Sequence, residues 1–137
     1  MDEVGTGRGK GFTINAPLRT GATIADYRLV FDEVFVPALQ EFKPDAVIVS
    51  AGQDALFDDP KSSMLLFPAD YGTLTSLLRD ATERPLALVL EGGYGPSHGD
   101  AISQIFSSLN GSPVLSVMGE PHHTTLNIVA VLNKMRK

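Results

Sequence analysis

The spacing of hydrophobic positions changes along the chain, and each spacing predicts a different kind of element. From Thr23 onward, apolar residues recur at every third or fourth position, and polar residues such as Asp26 fill most of the opposite side. This spacing predicts an amphipathic helix with Thr23 as its N-cap. Pro37 has no backbone N–H and should kink or restart that helix about two-thirds of the way along. Similar spacing predicts helices over roughly 69–82, 99–109 and 124–135.

Two short segments, 46–49 and 86–90, are apolar at every position rather than at alternate positions. Such segments are typical of strands in a parallel sheet that is buried on both faces. Shorter strands are predicted over 12–15, where Pro17 ends the run, and over 114–117. Because strands and helices alternate, we expect an α/β fold with a mainly parallel sheet flanked by helices, in a single domain over 1–137.

Composition and charge exclude several functional classes. The 137 residues are 43% hydrophobic and 20% charged, with 11 basic and 16 acidic side chains and a net charge of −5. Without a basic block, the chain is not expected to bind nucleic acid or an anionic membrane. The lack of cysteine excludes disulfides, thiolate zinc sites and iron–sulfur clusters. No apolar run approaches the roughly 20 residues that span a bilayer, and the chain starts with acidic residues, so we expect a cytoplasmic protein.

Candidate functional residues follow the two strongest strands. In open α/β sheets, ligands bind beyond the carboxyl ends of the strands. Asp54 follows the first strand and Tyr94 follows the second, so one carboxylate and one phenol should face a common crevice. A carboxylate serves as a metal ligand or a base, and a phenol donates a hydrogen bond to a developing oxyanion. On either residue alone, ordinary turn chemistry is the favoured explanation.

Four segments in this order resemble the histone deacetylase family, a group of zinc-dependent deacetylases that includes acetoin-utilisation proteins and acetylpolyamine amidohydrolases. They are GKGFTINAPL at 9–18, PDAVIVSAGQDA at 44–55, DDP at 58–60 and LEGGY at 90–94. The resemblance covers roughly residues 5–110, and residues 112–137 match no motif of the family. It implies the arginase/deacetylase-like fold, in which helices flank a parallel sheet.

The resemblance also implies roles for individual residues. Asp54 would be one of three zinc ligands, and Tyr94 would polarise the acetyl carbonyl and stabilise the tetrahedral intermediate. Gly92 and Gly93 would let the tyrosine loop pass close to the substrate. The implied cofactor is zinc, and the implied reaction is hydrolysis of an acetylated amine or lysine amide.

Family members carry their remaining machinery before the segment that matches here: an Asp-x-His motif with two zinc ligands, and a His–His pair that acts as general base and acid. The chain therefore resembles the carboxyl-terminal part of a deacetylase, expected to be inactive alone and to hold zinc only weakly. His98 is interpreted as a surface-loop residue, and His122 and His123 as part of a solvated loop before the last helix. The acidic pair in DDP suggests either a cation site or a structural loop, and we favour the loop.

Two other functional classes stay open. In the first, the chain is a non-catalytic module whose exposed sheet edge recruits a second copy or a separately encoded amino-terminal half. In the second, it is a generic α/β domain that binds a small molecule through Asp54 and Tyr94.

Overall fold

The computed structural model describes residues 3–136 and confirms the α/β class. Two parallel strands pair in register from Val47 opposite Leu86 to Ala51 opposite Leu90. The helices are α1 (Ile24–Val30), α2 (Val36–Phe42), α3 (Pro68–Ala81), α4 (His98–Leu109) and α5 (His123–Met135); the strands are β1 (Val47–Ala51) and β2 (Leu86–Leu90). A short 3-10 turn spans Gly7–Gly9. Within 3–136, no helix is long and apolar enough to cross a membrane.

The long helix that was predicted to begin at Thr23 forms, but its middle is not regular α-helix. Thr23 is its N-cap, and the Asp26 carboxylate accepts a hydrogen bond of 3.0 Å from the Thr23 N–H, which completes a capping box. A π-helical turn at Phe31–Phe35 separates α1 from α2 directly before Pro37. This position agrees with the predicted interruption, because proline cannot donate a backbone hydrogen bond to the preceding turn.

Within residues 3–136, helices cover only one face of the sheet. Leu88 packs into a core built mainly by α1, α3 and α4, whose buried members are Ile24, Leu56, Leu66, Tyr71, Ala101 and Ile105. On the opposite face, Ile48 is 73% exposed and Val89 is 49% exposed. The prediction that both strands are buried on both faces is therefore wrong for the described residues, because their helices pack on one side of the sheet only.

A second core joins the carboxyl-terminal helix to the helix predicted from Thr23. Its buried members are Val30, Val34, Val129 and Leu132, and Ile14, Ala16 and Leu18 pack against it from the amino-terminal segment. α5, which lies in the part of the sequence that matched no motif, thus contributes two of these four buried residues.

The two shortest predicted strands do not form. Residues 12–15 and 114–117 lack strand geometry and have no partner strand within 3–136. Only some of their apolar side chains pack: Ile14 contacts the second core, and Val114 lies so close to Gly72 of α3 that a Cβ there would be 2.8 Å from it. Phe12, Leu115 and Val117 are exposed. An apolar run predicts burial, but a strand also needs a partner for its backbone.

Candidate active site

The carboxyl ends of β1 and β2 bring the two predicted site residues to the same end of the sheet. Ala51 is paired with Leu90, so the loops that follow the two strands start side by side. Asp54 lies on the first loop and is exposed, and Tyr94 lies on the second and is 66% exposed. The structure therefore places a carboxylate and a phenol on adjacent loops, and both are accessible to a ligand.

Hydrogen bonds join these two loops directly. The Gln53 N–H donates to the Gly92 carbonyl at 3.1 Å, and the Tyr94 N–H donates to the Asp59 carboxylate at 2.6 Å. The N–H and the hydroxyl of Ser97 both donate to one Asp58 oxygen, at 3.0 and 2.6 Å. The loop that carries Tyr94 is thus held by two consecutive carboxylates of the loop that carries Asp54.

Asp59 is suited to this role because its charge is stabilised. Burial by itself raises the pKa of the Asp59 carboxyl, but backbone N–H groups of Tyr94, Lys61 and Gly95, together with the Lys61 charge, lower it below its ordinary value. The sequence favoured a structural loop for the acidic pair over a cation site, and its contacts agree with that. What the sequence did not show is that the pair anchors the tyrosine loop; the only signal was two acidic residues before a proline turn.

Gly92 and Gly93 allow this loop to fold tightly. Their φ angles are +88° and +124°, a backbone conformation that residues other than glycine rarely adopt. A Cβ at position 93 would lie 2.6 Å from His98 Nδ1 and 2.7 Å from Gln53 Cβ, and one at position 92 would lie 3.3 Å from the Tyr94 hydroxyl. The glycines therefore permit close packing within the protein, and their predicted closeness to substrate stays a prediction.

Two of the three histidines differ from their predicted surroundings. His98 is half-buried at the start of α4, and its buried Nδ1 has no hydrogen-bond partner within 3–136. His122 is the N-cap residue of α5 and bonds through both its N–H and its Nδ1 to Asp26, at 2.7 Å each. The surface-loop interpretation of His98 is wrong, because His98 begins α4 and its ring lies against Gly93 of the tyrosine loop. His122 directly precedes the last helix, as expected, but Asp26 holds it, so it is not simply solvated. His123 is exposed, as expected, but it is the first residue of α5 rather than part of the preceding loop.

A cleft of about 290 Å³ lies beside Asp54 on the helix-covered side of the sheet, and Tyr27 and Tyr71 also line it. Burial raises the pKa of both phenols, and the nearby Asp54 charge raises it further. The buried Tyr71 hydroxyl has no partner within the described chain. Both phenols thus stay protonated beneath the carboxylate at ordinary pH.

The described residues do not by themselves form a zinc site. No group of three or more histidine, cysteine, aspartate or glutamate side chains within 3–136 could hold a metal ion. A catalytic zinc takes three protein ligands and keeps one position open. Asp54 supplies one suitable oxygen ligand, and further ligands would have to come from elsewhere.

Comparison with known proteins shows a consistent relationship. The sequence model of the histone deacetylase domain family matches residues 1–110. The chain is 41% identical to polyamine deacetylase HDAC10 of Danio rerio over 118 residues, which are 85% of this chain and 18% of that protein. It is 40% identical to histone deacetylase HDA1 of Candida albicans over 129 residues, 93% of this chain and 15% of that protein.

Solved structures agree with the sequence relatives. The HDA15 HD domain matches with a TM-score of 0.87 and 31% identity over 98% of this chain and 37% of its own. The histone deacetylase Clr3 matches with a TM-score of 0.90 and 32% identity over 97% of this chain and 23% of its own. This chain therefore spans well under half of the proteins that it matches.

Proposed function

Because this chain belongs to the histone deacetylase domain family, we propose that it forms the carboxyl-terminal part of a zinc-dependent deacetylase. Asp54 and Tyr94, on adjacent loops at the carboxyl ends of two parallel strands, are the observation that carries the proposal. The substrate would be an acetylated amine or a lysine amide. Relatives named as polyamine and histone deacetylases support this substrate class.

Each site residue has a chemical role in this proposal. Asp54 would hold zinc through its carboxylate, and zinc would polarise the amide carbonyl when bound. Tyr94 would donate a hydrogen bond from its hydroxyl to the same carbonyl oxygen, where negative charge develops. Asp58 and Asp59 would fix the backbone of the tyrosine loop, so that the phenol is already oriented before substrate arrives.

The chain would be inactive when isolated. Its described residues offer Asp54 alone as a ligand at this site, and one carboxylate does not retain zinc tightly. An amino-terminal deacetylase segment would have to supply the remaining ligands and the general base. The cytoplasmic location likewise stays a prediction.

Zinc titration by calorimetry tests the proposal, first on the chain alone and then on the chain mixed with an amino-terminal segment of a relative. We expect weak binding by the chain alone and tight binding by the mixture. Asp54→Ala should weaken the tight binding more than tenfold, because it removes a ligand. Asp45→Ala is the matched control: Asp45 is also exposed but precedes β1, at the opposite end of the strand. Equal loss in both variants, or full deacetylase activity from the chain alone, contradicts the proposal.

One observation favours a second function, a non-catalytic module that binds a partner or a second copy. The uncovered sheet face carries exposed apolar side chains, and such surfaces mark interaction sites. This alternative would be supported if the chain associates stably and Asp54→Ala changes neither metal binding nor activity.

A further inference from the structure

Three side chains around the tyrosine loop, residues 91–97, hold buried polar atoms that have no hydrogen-bond partner within 3–136. The atoms are Oε1 of Gln53, Oδ1 of Asp58 and Nδ1 of His98. Leaving a buried polar atom unpaired is costly, so each of them calls for an explanation. Asp58 already accepts two hydrogen bonds through its other carboxylate oxygen. Gln53 and His98 are therefore the two residues whose side-chain pairing is still unaccounted for.

These two side chains meet above Gly93. The point where a Cβ of residue 93 would stand lies 2.6 Å from His98 Nδ1 and 2.7 Å from Gln53 Cβ. Nδ1 is therefore no farther from Gln53 Cβ than these two distances together, a span that rotation of the glutamine side chain can close. Gln53 is only 2% exposed, so bulk water does not reach its amide oxygen. A water molecule placed above Gly93 would collide with the same atoms as a Cβ, which favours direct contact.

The chemistry of the two groups determines how they can pair. An amide oxygen only accepts hydrogen bonds, so its partner must carry a proton, and a neutral imidazole carries its single proton on one of its two nitrogens. We infer that His98 carries this proton on Nδ1 and donates it to Oε1 of Gln53, so that the two buried atoms satisfy each other. In this tautomer, Nε2 of the ring is left as an acceptor.

This pair makes His98 a positioning residue for the tyrosine loop. The Gln53 N–H already donates to the Gly92 carbonyl at 3.1 Å, before the loop reaches Tyr94. The bond from His98 holds the far end of the loop to the same glutamine. Gly92 and Gly93 are the positions at which the loop backbone has most freedom, and fixing the chain on both sides of them restricts where the phenol can lie. His98 thus acts through Tyr94, and in that role the inference rests on the proposed function.

The other two histidines provide a reference for each tautomer. His122 Nδ1 lies 2.7 Å from the Asp26 carboxylate, which is ionised because its pKa is lowered to about 2 and which therefore only accepts. This ring carries its proton on Nδ1. His123 Nδ1 lies 3.3 Å from the side-chain nitrogen of Asn127, which only donates, so this ring carries its proton on Nε2. One spectrum of the protein thus contains an example of both forms.

Nitrogen chemical shifts of the histidine rings test the inference in the full chain without metal, at about pH 9, where imidazoles are neutral. We expect His98 to show the Nδ1–H pattern of His122. Gln53→Met removes the acceptor but keeps an unbranched side chain of similar length, and it should move His98 to the Nε2–H pattern. Gln53→Glu keeps an acceptor and should preserve the Nδ1–H form.

Amide hydrogen exchange measures the effect on the loop. We expect exchange of the Tyr94 and Ser97 N–H groups to be about fivefold faster in Gln53→Met, because one hydrogen bond that restrains the loop is lost. Gln40→Met is the matched control, since it makes the same change at an exposed position of α2. It should alter neither the His98 tautomer nor the exchange of the loop.

The outcomes separate this inference from the proposed function. An Nε2–H form of His98 in the wild type, or a His98 tautomer that Gln53→Met leaves unchanged, would overturn the pairing. A changed tautomer with unchanged loop exchange would overturn the positioning role. Circular dichroism shows whether Gln53→Met folds; Gln53→Leu replaces it if it does not, and the wild-type tautomer tests the pairing in either case. The expected tautomer and exchange, together with zinc binding that Asp54→Ala does not weaken, would uphold this inference and overturn the catalytic proposal.

Discussion

Asp26 is the most highly connected carboxylate that the structure describes, although the sequence placed it on the polar side of a helix. It is fully buried and accepts hydrogen bonds from the Thr23 N–H, from the N–H and ring of His122, and from the Thr125 hydroxyl. Burial alone raises its pKa, but these bonds outweigh burial and lower the pKa from 3.8 to about 2. One side chain thus fixes the start of α1 to the start of α5.

The depressed pKa predicts how stability depends on pH. Since the folded pKa lies below the unfolded value, the ionised Asp26 contributes about 2 kcal/mol above roughly pH 4, and this is lost as the pH falls toward 2. Asp26→Asn should lower the free energy of unfolding by about 2–3 kcal/mol at neutral pH. Urea unfolding at about pH 6 and about pH 3 measures both values, and the difference between wild type and variant should shrink at the lower pH.

Asp32→Asn is the control for this measurement, because Asp32 lies on the same helical segment but is exposed and forms only a surface pair with Arg28. We expect a change within about 0.5 kcal/mol. A difference between wild type and Asp26→Asn that stays constant over this pH range would show that the carboxylate charge is not what stabilises the junction.

The functional or structural role of some residues can be predicted from the sequence, and that of others cannot. Asp54 and Tyr94 stand out because a local motif places each directly after a strand. Asp26 and Asp59 do not, because their partners are 96 and 35 residues away. A side chain that acts through a distant contact leaves little local pattern in the chain.

The tyrosine loop is the element whose geometry is most sensitive to substitution. Gly93→Ala should lower the free energy of unfolding by at least about 2 kcal/mol, because φ is +124° and the new Cβ would collide with His98 and Gln53. Chemical denaturation measures the change. Gly99→Ala, at the start of α4 with open space around it, should change stability by no more than about 1 kcal/mol and in the favourable direction. Similar losses in the two variants would argue against a special conformation at position 93.

Helices were more predictable than strands for a physical reason. A helix satisfies its backbone within the segment, so spacing and caps such as Thr23 place it within a residue or two. A strand needs a partner, and residues 12–15 and 114–117 have none in the described chain. β1 and β2 form because each is the other's partner, and α3 returns the chain to allow parallel pairing.

At the scale of the whole molecule, α5 joins the carboxyl-terminal segment to the rest of the fold. Val129→Ala should lower the free energy of unfolding by about 2 kcal/mol, since Val129 is 7% exposed and lies in the second core. Val131→Ala, at a position that is 41% exposed on the same helix, should change it by less than about 0.5 kcal/mol.

Urea unfolding, which measures the effects of Val129→Ala and Val131→Ala, also tests the prediction of a single domain. Urea unfolding followed by tyrosine fluorescence, which reports Tyr71 in the first core and Tyr27 packed against it as well as the exposed Tyr94, should coincide with unfolding followed by circular dichroism. Two separate transitions, with only one shifted by Val129→Ala, would show that the two cores unfold as independent units.

The sequence by itself determined the α/β class, the existence of two parallel strands, the main helices, and the family whose motifs carry Asp54 and Tyr94. Those features depend on neighbouring residues, through hydrophobic spacing, capping and short motifs. Only the tertiary structure decided that Ile48 and Val89 are uncovered, that Asp59 holds the tyrosine loop and that Asp26 holds α5. Hydrophobicity predicts that a residue favours burial. The surface that buries it depends on every other element that packs nearby, so it cannot be predicted from one segment of the sequence.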